Sequence, residues 1–172
     1  MIILSSGLKK KSKSRALARF AYAQLNEMGV EVSFINMQDY DLPFCDAENE
    51  TMHHPRVVSL REELHKADAL IVATPVYNYN GNSTLKNVME LTGPAWRDKV
   101  VGFLCAAGGE KSYMSIMSLA NNLMLDFRCL IIPKFVYATD RDFDAELTIS
   151  PEIKKRITEQ NKMALRLSRA LK

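Results

Sequence analysis

Three cysteines among 172 residues, odd in number and without CxxC spacing, exclude a disulfide-framed fold and a cysteine zinc site. No apolar run approaches the ~20 residues needed to cross a bilayer, and Met1–Leu4 is too short for a secretory leader. Internal repeats, a domain linker and low-complexity tracts are also missing. With 47% apolar and 25% charged residues, the composition is that of a globular chain, not a disordered or fibrous one. At roughly 100–200 residues per domain, the expectation is a single domain over residues 1–172, cytoplasmic and away from membranes.

Charge of one sign is scarce too. Lys plus Arg number 23 against 20 acidic residues, a formal surplus of +3. Lys9, Lys10, Lys11, Lys13 and Arg15 crowd into seven positions, and without those five the balance is 18 basic against 20 acidic. A near-neutral body with one cationic loop reads as an anion site or as a solvated run. No recognition module and no interleaving of aromatic with basic residues accompanies it, so no nucleic-acid partner is expected.

What is present is alternation. Apolar runs at Met1–Ser5, Val30–Ile35, Ala69–Ala73, Lys99–Cys105 and Cys129–Tyr137 read as strands. Between and after them, helical spacing appears from Leu17 to Met28, over Val57–Lys66, Ser83–Leu91 and Ser112–Phe127, and from Pro151 to Leu171. Asn36–Pro55 reads as a loop. Near-continuous apolar strands alternating with helices predict a parallel five-stranded sheet with helices on both faces, a doubly wound α/β three-layer sandwich. Pro133 cannot donate to a ladder, which puts the fifth strand at an edge, as a flavodoxin-like order 2-1-3-4-5 does.

In such sheets ligands bind beyond the carboxyl ends of the strands, where the order reverses. Three loops should meet there. Ser5–Arg15 leads from a strand into a helix N-terminus, whose free N–H groups and dipole favour an anion. Ser6, Ser12 and Ser14 add hydroxyls and Arg15 a charged fork, and Ser12 or Ser14 reads equally well as a helix cap. The loop has neither Walker nor GxGxxG glycines. Thr74–Asn87 alternates Tyr77, Asn78, Tyr79 and Asn80 after Pro75 and Val76, which suits a flat heterocycle with polar edges, or simply a turn. Ala106, Ala107, Gly108 and Gly109 let backbone N–H groups approach a ligand closely.

Jointly these segments resemble the NADPH-dependent FMN reductase family of flavodoxin-like proteins. The family's phosphate loop, G-S-x-R-x-x-S-x-N-R, is followed with substitutions by Ser6–Arg15. Its flavin loop, T-P-x-Y-N…G…L-K-N, is matched by Thr74, Pro75, Tyr77, Asn78, Leu85, Lys86 and Asn87. Ala106–Gly109 match its third, small-residue turn, and Asp41-Leu42-Pro43-Phe44 its L-P-[FY] element. The chain departs at Ser6, Gly7 and Ser14, where Gly, Ser and Asn are usual, and at Val76, where Glu is common.

The resemblance implies an oxidoreductase with bound FMN as cofactor and NADPH as co-substrate, passing a hydride to a small-molecule acceptor such as a flavin, quinone or azo compound. It implies a phosphate held by Ser6, Ser12, Ser14 and Arg15 and a ring against Pro75, Val76, Tyr77 and Asn78. Donors from Ala107, Gly108 and Gly109 would face the ring's pyrimidine edge. No protein nucleophile is required.

Other readings compete. Cys105-x5-Lys111-Ser112 imitates the C-x5-R-[ST] loop of tyrosine phosphatases, with Lys in place of the bidentate Arg and Glu110 where phosphate would sit. A flavodoxin-type electron carrier shares the fold, but such carriers are typically acidic. His53 and His54 beside Asp46, Glu48 and Glu50 suggest a metal only weakly, since adjacent histidines on a loop rarely point at one ion. Trp96 reads as a stacking residue near the cofactor or as a core aromatic. The Ser112–Phe127 helix carries Met117, Ala120, Met124 and Phe127 inward and Ile116, Leu119 and Leu123 on a second face. That exceeds what one sheet covers and points to a homodimer through this helix or Ser83–Leu91.

Overall fold

The computed structural model describes residues 1–171. Ile2–Ser5 (β1) is buried at every position, and a strand with no wet face belongs inside a sheet covered on both sides. It pairs in parallel with Ser33–Asn36 (β2) on one side and Ala69–Tyr77 (β3) on the other. Asn80–Gly81 (β4) folds back antiparallel on the end of β3. Val100–Ala106 (β5) pairs in parallel with β3, and its outer neighbours are Leu130–Ile131 (β6) and Val136–Ala138 (β7). The path β2-β1-β3-β5-β6 is the expected order. The sheet has seven strands where five were expected.

Both extra strands have local causes. The edge strand splits because Pro133 lacks a donor and Lys134 turns left-handed at φ 58°. The strand after residue 69 runs on through Pro75 to Tyr77. Ala73 still accepts from the Ser6 N–H at 2.9 Å, but position 75 faces the same side beyond the end of β1, so its missing donor breaks no ladder bond.

The helices are Lys13–Glu27 (α1), Asn49–Met52 (α2), Pro55–His65 (α3), Ser83–Thr92 (α4), Met117–Phe127 (α5) and Pro151–Ala170 (α6). Strand side chains alternate between two cores. Ile3, Ile71 and Leu104 pack with Leu17 and Leu25 of α1 and Ile153 and Ile157 of α6. Leu4, Val72 and Phe103 pack with Leu60 and Leu64 of α3, Val88 of α4 and Leu119 and Leu123 of α5.

Three segments differ from expectation. The loop expected over 36–55 contains α2 and a 3-10 turn at Met37–Asp39. The helix expected from Ser112 is a kinked 3-10 segment, Glu110–Ile116, before α5 begins. Around α5 both expected faces meet the core: Ile116, Leu119, Ala120 and Leu123 are buried, Met117 and Phe127 pack against them partly buried, and of the residues expected inward only Met124 is exposed. The sheet and the neighbouring helices cover more of this helix than its spacing predicts. Among the described residues no helix is long and apolar enough to cross a membrane.

Candidate functional site

The three loops meet at one cleft of about 240 Å³ beyond the carboxyl ends of β1, β3 and β5. Lys9, Lys11, Ser12, Lys13 and Ser14 line it from the first loop, Pro75, Val76 and Tyr77 from the second, and Ala106, Ala107 and Gly108 from the third. Asn78 and Gly109 stand just outside this lining, next in sequence to residues within it.

Ser12 is the N-cap of α1, its Oγ accepting from the Arg15 N–H at 3.2 Å. The Ser14 Oγ lies 3.0 Å away. The capping role and a ligand-facing role therefore coincide in one hydroxyl pair. Gly7 leaves room for that pair, since a Cβ there would lie 2.5 Å from the Ser12 Oγ and 2.6 Å from the Ser14 Oγ. Three lysines and a helix N-terminus make the cleft positive. Asp140, on the opposite rim, offsets Lys13 through a partly exposed ion pair at 2.7 Å.

Ser6 and Arg15 are occupied elsewhere. The Ser6 Oγ donates to the Asn82 Oδ1 at 2.7 Å, and the Asn82 Nδ2 donates back to the Ser6 carbonyl at 2.8 Å. Asn82 also caps α4 and accepts from the Thr74 Oγ1 at 3.2 Å, so it ties the first loop to the second. The buried Arg15 guanidinium donates to the carbonyls of Gly7, Lys9 and Lys10 and to the side chains of Asn36 and Gln38. It shapes the loop from within instead of facing the cleft.

The second loop is a two-residue hairpin. Tyr77 pairs with Asn80, and Asn78 and Tyr79 have φ of 48° and 62°. Left-handed values at both central positions mark a type I′ turn. Gly81 fits because a Cβ there would meet the Leu119 Cδ1 of α5 at 2.7 Å. In the third loop the Ala107 N–H already donates to the Ala138 carbonyl at 2.9 Å, which removes it from the expected donor set. Added Cβ atoms at Gly108 and Gly109 meet nothing within 4 Å, so their backbone is open to a ligand. The Tyr137 hydroxyl holds the Gly109 carbonyl at 2.5 Å.

Sequence reasoning missed Asn82, Asp140 and Tyr137. Only Asn82 left a signal, a cap residue directly before a helix.

The cleft contains hydroxyls, ammonium groups and backbone, with no free carboxylate, histidine or thiol among its lining. Such a set binds and orients an anion while the ligand carries the chemistry. Cys105 lies in the core of β5, and burial pushes its thiol up to about 12. It is protonated at neutral pH, and a phosphatase thiolate is excluded. Glu110, beside it in the phosphatase-like reading, pairs with Arg141.

The other singled-out residues are structural. Trp96 is fully buried and donates to the Thr92 Oγ1 at 2.9 Å, far from a stacking role. The His54 Nδ1 accepts from the Arg56 N–H at the start of α3, and the His53 ring bonds the Asn49 carbonyl. Among the described residues no group of three His, Cys, Asp or Glu is arranged to hold a metal.

Comparison with known proteins adds four findings. The profile of the family described as NADPH-dependent FMN reductase matches residues 1–164. An NAD(P)H-dependent FAD/FMN reductase of Geobacillus thermodenitrificans is 27% identical over 132 residues, covering 76% of this chain and 71% of that protein. An NADPH:quinone oxidoreductase of Arabidopsis thaliana is 26% identical over 171 residues, covering 94% and 87%. Among solved structures, an apo NADH:FMN oxidoreductase superposes with a TM-score of 0.78 at 17% identity, covering 97% of this chain and 88% of that one.

Proposed function

Because the chain belongs to the NADPH-dependent FMN reductase family, a group of FMN-dependent NAD(P)H oxidoreductases, we propose that the three-loop cleft is its FMN site and that a small molecule is its electron acceptor. The observation that carries the reading is the meeting of Ser12, Ser14, Pro75, Val76 and Gly108 on one cleft. The donor set fits the cofactor. A phosphate carries roughly two negative charges, and the hydroxyl pair over Gly7, the α1 N-terminus, Lys9 and Lys11 are suited to it.

When bound, FMN supplies the redox chemistry that links NADPH to a quinone, flavin or similar acceptor. The protein binds and orients. Ser12 and Ser14 hold the phosphate, while Arg15 and Asn82 fix the loops that present them. Pro75, Val76 and Tyr77 form one wall for the ring, and the Asn78 amide extends it. The N–H groups of Gly108 and Gly109 stabilise negative charge on the ring's polar edge, donors ready in place being worth more than donors that must reorganise.

We extend the proposal to a single cytoplasmic domain, since its three free thiols suit a reducing compartment. It also includes a homodimer. Leu125 is 85% exposed on α5 and Phe44 is 83% exposed on the loop before α2. Between α4 and α5 a groove of about 780 Å³ is lined by Met89, Leu125 and Phe127 among charged Lys86, Glu90 and Asp126, and an exposed apolar patch with a charged rim favours burial against a second copy.

An absorption titration tests the core of the reading. Purified protein should take up FMN at one per chain, and anaerobic NADPH should then bleach the flavin band without a partner protein. Protein that binds no FMN refutes the site, and bound FMN that both NADPH and NADH leave yellow refutes the reductase.

A further inference from the structure

A second region, remote from the three loops, joins unbalanced charge, apolar surface and a buried polar group without partners. It lies at the free edge of the sheet, where α6 passes the break between β6 and β7, and forms a hollow of about 810 Å³. Lys134 reaches it from the break, and Arg156, Lys162 and Arg166 from α6, with Glu159 as the one carboxylate of the lining. The ion pairs of the described residues all lie elsewhere, so these four cations are not neutralised within the chain. Positions 156, 159, 163 and 166 recur at helical spacing and form one face of α6. Arg156 is anchored by donation to the Phe135 carbonyl at 2.7 Å, and its remaining N–H groups are available to an acceptor.

The hollow is not a polar surface alone. Ile132, Pro133, Met163 and Tyr113 give it apolar walls. At its inner side Gln160 is only 4% exposed, and neither its Nε2 nor its Oε1 has a hydrogen-bond partner. The side chain is seated against Gly102, where an added Cβ would lie 2.9 Å from the Nε2. A buried polar group without a partner is costly to fold.

We propose that this hollow is a binding site for a small organic anion with an apolar body, an aryl or alkyl carboxylate or sulfonate. Lys162, Arg166 and the free N–H groups of Arg156 take the acid group. Ile132, Pro133 and Met163 take the apolar body. A neutral molecule of the same shape leaves the cations uncompensated, so charge and apolar surface together define the ligand class. The volume lies within the roughly 300–1,000 Å³ of small-molecule sites. The site is separate from the cleft and stands whether or not FMN occupies it.

The test uses the full chain, with and without saturating FMN. Fluorescence titration with 8-anilinonaphthalene-1-sulfonate should show one saturable site per chain in both cases, weakened by salt. Dodecanoate should displace the probe if the alkyl acids belong to the class, and 1-naphthoate if the aryl acids do. The neutral analogue N-phenyl-1-naphthylamine should bind about tenfold more weakly or worse. Lys162→Glu combined with Arg166→Glu should weaken the sulfonate about tenfold or more while FMN affinity and circular dichroism stay unchanged. Absence of saturable binding, displacement of the probe by FMN, equal affinity for the neutral analogue, failure of both acids to compete, or indifference to the charge reversal would each overturn the proposal.

Discussion

Gly7 shows how much of the anion site depends on a single missing side chain. Its substitution by alanine would drive a methyl into the Ser12 and Ser14 hydroxyls. Gly7→Ala is expected to reduce FMN affinity about tenfold, the order of one lost charge-assisted hydrogen bond. Riboflavin, which has no phosphate, should bind the variant as it binds the parent. Flavin-fluorescence titration with both ligands separates the effects, since a uniform loss would indicate general damage. At this scale the sequence brought out residues that meet at the cleft but not their orientation. Ser12 and Ser14 were legible because an anion site and a helix cap require the same residue types at the same place. Arg15 was not. Its guanidinium is drawn inward by Asn36 and Gln38, more than twenty positions away, and no local pattern announces such partners.

Among the elements, the hairpin between β3 and β4 carries backbone tension beside the cleft. Tyr79 is held at φ 62°, in a region that glycine occupies freely and a tyrosine does not. In Tyr79→Gly the turn becomes Asn-Gly, the sequence best suited to type I′. The variant should melt about 2–4 °C higher, the shift that ~1 kcal/mol produces in a domain of this size. Scanning calorimetry measures that gain, and steady-state kinetics shows whether the Tyr79 ring serves the acceptor. A stabilised variant with a reduced rate for quinone but not for flavin would assign it that role. Strand order was readable from apolar runs and Pro133, because periodicity and a missing donor are local properties. The extension of β3 through Pro75 was not, since it depends on where the neighbouring β1 happens to stop. The exposure of Met124 on α5 has the same origin.

For the molecule as a whole, the question is which exposed apolar surface is covered. Leu125 contributes nothing to the monomer's core, being 85% exposed. Leu125→Lys should therefore leave the melting of the isolated chain nearly unchanged while halving the particle mass in light scattering from two chains to one. A parent protein that is monomeric at micromolar concentration would refute the dimer. The cationic hollow beside α6 belongs to the same scale. Lys134 and the α6 side chains that line it with Lys134 are separated by more than twenty residues, and only the closing of α6 along the sheet edge brings them together.

By itself the sequence determined the alternation of strands and helices, the edge position of the last strand and the three loop compositions, because each follows from short-range pattern and backbone chemistry. Tertiary structure alone decided that Arg15 turns inward, that the Ala107 N–H is already used, that Cys105 stays a protonated thiol, and that Gln160 is buried without partners. Each of these depends on which distant groups share a small volume, and packing across the chain, not spacing along it, sets that.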